Sequence, residues 1–243
     1  MYPRNSDDGV ALRLENLCVG YGTEAILSDL NLTVRNGSIV AFMGPNGTGK
    51  TTLLLTIAGM IPPLSGSFRL SDPENMGFVL QDPQNQVVGN TVEEDIAFGL
   101  ENRSFSRNTI TRIIDENLER FSISQLRRSD PSTLSAGQLQ LLALASACAM
   151  SPKLYLLDEP FSMIGRDYEA RIVESVKKIR SDGATVIVTA SRAFDVMWTD
   201  RVIGLKDRRM IFDGSPDEFS AHYEKLFGEL CFSPEFFRLL RKC

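Results

Sequence analysis

The run Gly44-Pro45-Asn46-Gly47-Thr48-Gly49-Lys50-Thr51 puts three glycines, a lysine and a hydroxyl at the spacing G-x-x-x-x-G-K-[ST]. That spacing suits phosphate chemistry. The glycines let successive backbone N–H groups curl into a concave anion nest. A helix opening at Lys50 aims its N-terminal dipole at the same anion. Lys50 then reaches β- and γ-phosphate oxygens, and Thr51 offers its hydroxyl to Mg2+. The expected nucleotide contacts are Asn46, Gly47, Thr48, Gly49, Lys50, Thr51 and Thr52. The competing reading is a chance glycine turn. It is disfavoured because the run follows an apolar strand, Ser38–Met43, and opens a helical pattern, as the motif requires.

A second chemical run is Leu154-Tyr155-Leu156-Leu157-Asp158-Glu159. An apolar strand ending in two acids sets Asp158 at the carboxyl edge of the sheet, where open α/β folds bind ligands. Asp158 is placed to hold the water shell of Mg2+. Glu159, one residue on, is placed to polarise an attacking water. Standing alone, the pair reads equally well as an acidic strand end before the turn at Pro160; beside the phosphate loop that reading recedes.

These residues need elements to hold them. Alternating apolar and polar positions over Ala11–Val19 and Leu30–Val34 predict antiparallel strands with turns at Gly20-Tyr21-Gly22 and Asn36-Gly37. Strands are expected at Ser38–Met43, Met76–Leu80, Lys153–Asp158, Ala184–Thr189, Arg201–Lys206 and Arg209–Asp213. Helices are expected over Thr51–Met60, from the Thr91/Glu94 capping box to about Leu100, and over 107–122, 136–150 and 167–181. A last helix starts after Ser215-Pro216. Strands alternating with helices imply an α/β fold with a mostly parallel sheet. To this are added an N-terminal antiparallel β subdomain and an inserted α-helical subdomain. The expected division is a catalytic core of 10–84 and 151–215, a helical block at 85–150 and a tail at 216–243.

Composition narrows the function classes. The chain has 243 residues, 43% hydrophobic and 23% charged, enough to bury a core and too apolar for disorder. The formal charge of −5 argues against nucleic acid as a partner, which needs a basic surface. The longest mainly apolar stretch, Leu139–Met150, is shorter than the ~18–20 residues that span a bilayer. Met1–Asp8 carries no apolar run, so a secretory signal is not expected. Cys18, Cys148, Cys231 and Cys243 lack paired spacing and read as reduced thiols, with Cys18 and Cys148 in the core. With His222 the only histidine, a Cys/His metal cluster is not expected.

Between the two chemical runs lies Leu134-Ser135-Ala136-Gly137-Gln138. It resembles the Leu-Ser-Gly-Gly-Gln signature of ATP-binding cassette ATPases. Gln81 resembles their Q-loop glutamine, a metal ligand and catalytic contact, and Tyr21 the aromatic that stacks on adenine. The order Tyr21, phosphate loop, Gln81, signature, Asp158-Glu159 follows the family over about residues 10 to 215. A narrower likeness joins Val79–Gln86 and Val87–Asn102 to the energy-coupling factor branch of cobalt and vitamin importers. The resemblance implies a P-loop NTPase core, ATP and Mg2+ as ligands, and ATP hydrolysis coupled to transport. It implies a head-to-tail dimer with an identical or related ATPase, in which Ser135, Gly137 and Gln138 serve the partner's nucleotide. It also implies an integral membrane coupling subunit docked after the Q-loop, a separate substrate-binding membrane protein, and a peripheral place on the cytoplasmic face of the membrane.

The sequence departs from that pattern in three places. Ala190 stands where family members carry a histidine that contacts the γ-phosphate. Gly165 replaces an acid in Phe161-Ser162-Met163-Ile164-Gly165-Arg166, and Ala136 replaces the middle signature glycine. Glu159 remains, so the expectation is slow hydrolysis at this chain's own site and a nearly intact signature lent to a partner: the weaker half of an unequal pair. Alternatives are an ordinary homodimer in which Ser191 or a water substitutes for the imidazole, a regulatory subunit that closes on ATP without cycling, and an ABC ATPase not tied to transport. The apolar tail Phe227, Leu230, Phe232, Phe236, Phe237, Leu239, Leu240 suggests a dimer contact.

Overall fold

The computed structural model describes residues 9–162 and 164–228. Val10–Tyr21 (β1) and Glu24–Arg35 (β2) form a long antiparallel hairpin whose turn holds Gly22 at φ 58°. The strands outrun the apolar stretches in the sequence, and Tyr21 pairs with Glu24 instead of lying in the turn. Ladder hydrogen bonds use backbone groups, so pairing continues past the last buried side chain. Ile39–Met43 (β3) is buried at every position and leads through the glycine loop into Lys50–Ile57 (α1). That helix stops three residues before Met60, where Gly59 turns at φ 74°.

Ser65–Leu70 (β4) is a strand that the sequence does not announce, because only Leu70 of its six residues is buried and no alternation marks it. It pairs antiparallel with β1, giving a small sheet of order β2-β1-β4. Met76–Val79 (β5) then enters the main sheet. Three helices follow before the sheet resumes: Val92–Asn102 (α2), Arg107–Arg120 (α3) and Ala136–Ala149 (α4). The remaining elements are Leu154–Leu157 (β6), Arg166–Ser181 (α5), Thr185–Ala190 (β7), Arg201–Lys206 (β8), Arg209–Gly214 (β9) and Pro216–Phe227 (α6). The main sheet runs β5-β6-β7-β3-β8-β9, parallel except for the antiparallel hairpin β8–β9.

Both faces of this sheet are covered, which is why its central strands read as unbroken apolar runs. Ile39, Ala41 and Met43 join Tyr155, Leu157, Val186 and Val188 in the core against the helical side. Val40 and Phe42 join Leu154, Leu156 and Ile187 in the core beneath the small sheet and α1. The period-2 alternation of a strand thus divides one apolar run between two cores.

Helix starts follow their chemistry, with one exchange. Thr91 caps α2 through Glu94 N, but the Glu94 carboxylate bonds Asn90 N instead of closing the expected box on Thr91. The reciprocal box forms at Ser135 and Gln138 on α4, and again at Ser215 and Glu218 on α6. Cys148 is buried, and burial pushes its thiol up to about 11. Cys18 is only half-buried, its thiol 3.5 Å from the Ser28 hydroxyl. Phe227 closes α6 inside an aromatic cluster with Phe219 and Tyr223. Met163, Cys231, Cys243, Met1–Asp8 and the tail positions Leu230, Phe232, Phe236, Phe237, Leu239 and Leu240 lie outside the described residues.

Phe219 is fully buried and meets Phe212, Tyr223 and Phe227 edge-on. Phe219→Ala is expected to destabilise the fold by about 3–5 kcal/mol, read as a lower urea midpoint with an unchanged slope.

Candidate functional site

The loop after β3 is shaped by sterics at its two ends. Gly44 N donates to Ala190 O at 3.2 Å, and a Cβ on Gly44 would lie 2.4 Å from Leu205 O. At the other end Gly49 adopts φ 91°, and a Cβ there would lie 2.4 Å from Ile26 and 3.3 Å from Leu27 of β2. A side chain is excluded at both. Thr48 Oγ1 donates to Pro45 O at 2.8 Å and pins the intervening turn. Gly49 offers no side-chain cap, so the first N–H groups of α1 are left for an anion.

Lys50 is folded back under the loop and only 4% exposed. Its Nζ donates to Gly44 O at 2.8 Å and Pro45 O at 3.1 Å, and lies 3.1 Å from Glu159 Oε1. Burying an ammonium is costly unless it is paired. The carboxylate of Glu159 supplies that charge where an incoming phosphate would compete for it.

Asp158 is 1% exposed and accepts two hydroxyl bonds, from Thr51 Oγ1 at 2.7 Å and Thr189 Oγ1 at 2.6 Å. Thr189 Oγ1 also accepts from Glu159 N at 2.8 Å. One hydroxyl on β7 therefore fixes both acids at the end of β6. Sequence reading passed over Thr189; its only signal is a hydroxyl near the end of an apolar strand, and its role depends on parallel pairing. Glu159 itself sits at φ 42°, a left-handed conformation rare outside glycine. Its Oε2 accepts from Ser191 Oγ at 3.3 Å.

The methyl of Ala190 ends β7 beside Glu159. A cavity of about 210 Å3 opens there, lined among others by Glu159, Thr189, Ala190, Ser191 and Arg192. Arg192 is held bidentately by Asp195 at 2.8 Å and 2.8 Å, and by Glu169 at 2.8 Å. Its hydrogen bond to Asp195 raises the guanidinium pKa further. Burial pushes the Asp195 carboxyl up, opposed by Arg192. His222 is elsewhere, exposed on α6 with Nδ1 2.8 Å from Glu218 O.

The other sequence candidates divide by location. Tyr21 ends β1 with its ring half exposed, on the hairpin that touches the loop through Ile26. Gln81 is exposed two residues past β5, whose Val79 O accepts from Asp158 N at 2.9 Å. Asn46, Gly47 and Thr48 form the rim of the loop, and Thr52 is buried in α1. Ser135, Gly137 and Gln138 form the N-terminus of α4; among the described residues no hydrogen bond joins them to the loop of the same chain. Gly137 is required for packing, since a Cβ there would fall 2.3 Å from the ring of Tyr168. Around the loop, the buried ammonium, the acid pair and the hydroxyl of Thr51 form a donor set suited to a phosphate chain and a hard cation.

A family model described as ABC transporter matches residues 27–162. Among curated relatives, the energy-coupling factor transporter ATP-binding protein EcfA1 of Leuconostoc mesenteroides subsp. mesenteroides is 34% identical, covering 86% of this chain and 82% of that protein. The protein of the same description from Mycoplasma pneumoniae is 30% identical over 94% of this chain and 89% of its own length. Among solved structures, CbiO1 of Clostridium perfringens, described as part of the ABC transporter complex CbiONQ, superposes with a TM-score of 0.82 at 28% identity. That match covers 96% of this chain and 100% of the other.

Thr189→Val removes the bridge between the two acids and is expected to cost about 1–3 kcal/mol in thermal or urea unfolding, with Thr189→Ser close to unchanged. Gly137→Ala is expected to cost about 1–3 kcal/mol by overpacking. Tyr168→Ala in the same chain should return most of that loss in a double-mutant cycle.

Proposed function

The chain belongs to the ATP-binding cassette (ABC) transporter family and is an ATP-binding, ATP-hydrolysing subunit of the energy-coupling factor type; from that premise we propose that it is the slower member of an unequal ATPase pair powering an importer of a vitamin or metal cofactor. The observation that carries the reading is the pairing of an intact Glu159 with a methyl at Ala190, beside an open cavity at the position where the family resemblance leads one to expect a histidine.

In this reading the triphosphate lies in the loop from Gly44 to Thr51, with adenine against Tyr21. Lys50 exchanges the Glu159 carboxylate for phosphate oxygens, and Glu159 is released toward the attacking water. Thr51, Asp158 and Gln81 would hold Mg2+, which neutralises charge on the phosphates. The donor set supports this: Thr51 Oγ1 and Asp158 Oδ2 already share one hydrogen bond of 2.7 Å. Residues 10–84 and 151–215 act as the catalytic core. The helical block 85–150 presents Ser135, Gly137 and Gln138 to the nucleotide of a companion ATPase.

Closure on ATP and reopening after hydrolysis then shift the populations of two dimer states and drive the membrane subunit. The surface assigned to that subunit is the polar turn after Gln81, with Val88 and Phe98 exposed nearby. Among the described residues no helix is long and apolar enough to cross a membrane. The place proposed on the likeness to energy-coupling factor ATPases is peripheral, on the cytoplasmic face, beside the membrane coupling subunit and a separate substrate-binding protein.

Lys50→Ala is expected to weaken ATP affinity by about 10- to 100-fold, measured with a fluorescent nucleotide. The purified chain alone should hydrolyse ATP slowly and contribute to faster turnover when mixed with a companion ATPase. Ala190→His should raise the rate of the isolated chain about tenfold or more. Full-speed hydrolysis by the unmodified chain alone would overturn the unequal-pair reading. Tight ATP trapping with no phosphate release would point instead to a regulatory subunit. Copurification with a multi-spanning membrane protein tests the importer assignment.

A further inference from the structure

The carboxylate of Glu159 is shared between two neighbours. Lys50 Nζ takes Oε1 at 3.1 Å, and Ser191 Oγ donates to Oε2 at 3.3 Å. These two contacts differ in what a nucleotide would do to them. Lys50 belongs to the phosphate loop and is drawn away when a phosphate arrives. Ser191 follows β7, and among the described residues its hydroxyl makes no hydrogen bond to the phosphate loop, so its bond to Glu159 does not depend on where Lys50 lies.

Other groups near the carboxylate are engaged elsewhere. Arg192 lines the same cavity but is committed to Asp195 and Glu169 by three bonds of 2.8 Å. Thr189 Oγ1 is used between Asp158 Oδ1 and Glu159 N. Ala190 carries no polar atom. Ser162 lines the same cavity, but among the described residues it is the Ser191 hydroxyl that donates to the Glu159 carboxylate, and it stays in position to hold that side chain once Lys50 leaves. The cavity of about 210 Å3 beside it is far above the ~15 Å3 one water needs, so the freed oxygen meets space that water can fill.

We propose that Ser191 is a positioning residue for ATP hydrolysis by this chain: it orients Glu159 toward the attacking water after the phosphate has claimed Lys50. The inference rests on the reading of Glu159 as the group that polarises that water. Ser191 acts through the glutamate and not on the nucleotide. It therefore governs the rate of the bound complex and leaves binding alone, and it would sustain the slow turnover expected with Ala190 in place of an imidazole. A single hydrogen bond to a carboxylate orients one oxygen but delivers no charge to the γ-phosphate, so the rate it sustains is modest.

The test is single-turnover hydrolysis by the full chain in excess over Mg-ATP, beside a mant-ATP titration of each variant. Ser191→Ala should slow the bound complex about tenfold, with nucleotide affinity within about twofold. Ser191→Thr, which keeps the hydroxyl, should return the rate to within about threefold. Glu159→Gln sets the floor. Unchanged hydrolysis in Ser191→Ala overturns the inference, and so does unmodified chain no faster than Glu159→Gln. If the unmodified chain fails to bind mant-ATP, the assignment of the site falls with it. Normal binding beside an insensitive Ser191→Ala removes the role of Ser191 alone.

Discussion

A buried carboxylate at the end of one parallel strand has to be satisfied by its neighbours, and this requirement organises the protein. Asp158 is almost wholly out of solvent and draws hydroxyls from Thr51 on α1 and Thr189 on β7. Leaving either oxygen unpaired in such a place would cost more than the bond itself contributes. The demand ties together three elements that lie far apart in the chain: the helix after the glycine loop, the strand that ends in the acid pair, and β7 beside that strand in the sheet. Because β7 pairs with β3 on one side and β6 on the other, Thr189 reaches Asp158 only if the parallel order is correct. The chemistry of the site and the topology of the sheet are therefore the same fact seen twice.

The second constraint is the buried ammonium of Lys50. Two loop carbonyls and the Glu159 carboxylate compensate it. That leaves the loop closed on itself and one carboxylate oxygen of Glu159 held by Lys50. Phosphate is a stronger and better-placed anion for the same nest. In the proposed reading, ATP binding exchanges the Lys50–Glu159 ion pair for one with phosphate and frees Glu159 in the same event. The departures from the family pattern fall, in the same proposed reading, on the hydrolytic step after that exchange. Ala190 supplies no charge or proton, and Gly165, with nothing within 4 Å of an added Cβ, supplies no acid.

The helical block contributes a different kind of precision. Its signature end is fixed by a reciprocal capping box, so Ser135 Oγ and the Gln138 side chain are engaged with their own helix. Gly137 is compelled by the ring of Tyr168, which lies across it from the start of α5. A glycine that the motif presents as a nucleotide contact is thus also a packing residue, joining the helical block to the segment after the acid pair. In the proposed dimer, the backbone N–H groups at this helix end are the part of the signature that meets the companion subunit's phosphates.

The phosphate loop, the acid pair and the alternation of strands and helices are legible in the residues alone. Each is written in local rules: glycine conformational freedom, apolar runs buried on both faces, and hydroxyl caps. The missing imidazole is legible too, since Ala190 and the lone His222 can be read without coordinates. Other features follow no local rule and arise only in the assembled fold. The edge strand β4 has no burial pattern of its own and exists because β1 offers an unpaired edge. Glu94 bonds Asn90 because the turn before α2 brings that N–H within reach. Thr189, which bonds both acids, looks like an ordinary strand position until the sheet is assembled. Its function arises from the register of parallel strands, and register is set by long-range packing that the chain's local chemistry does not encode.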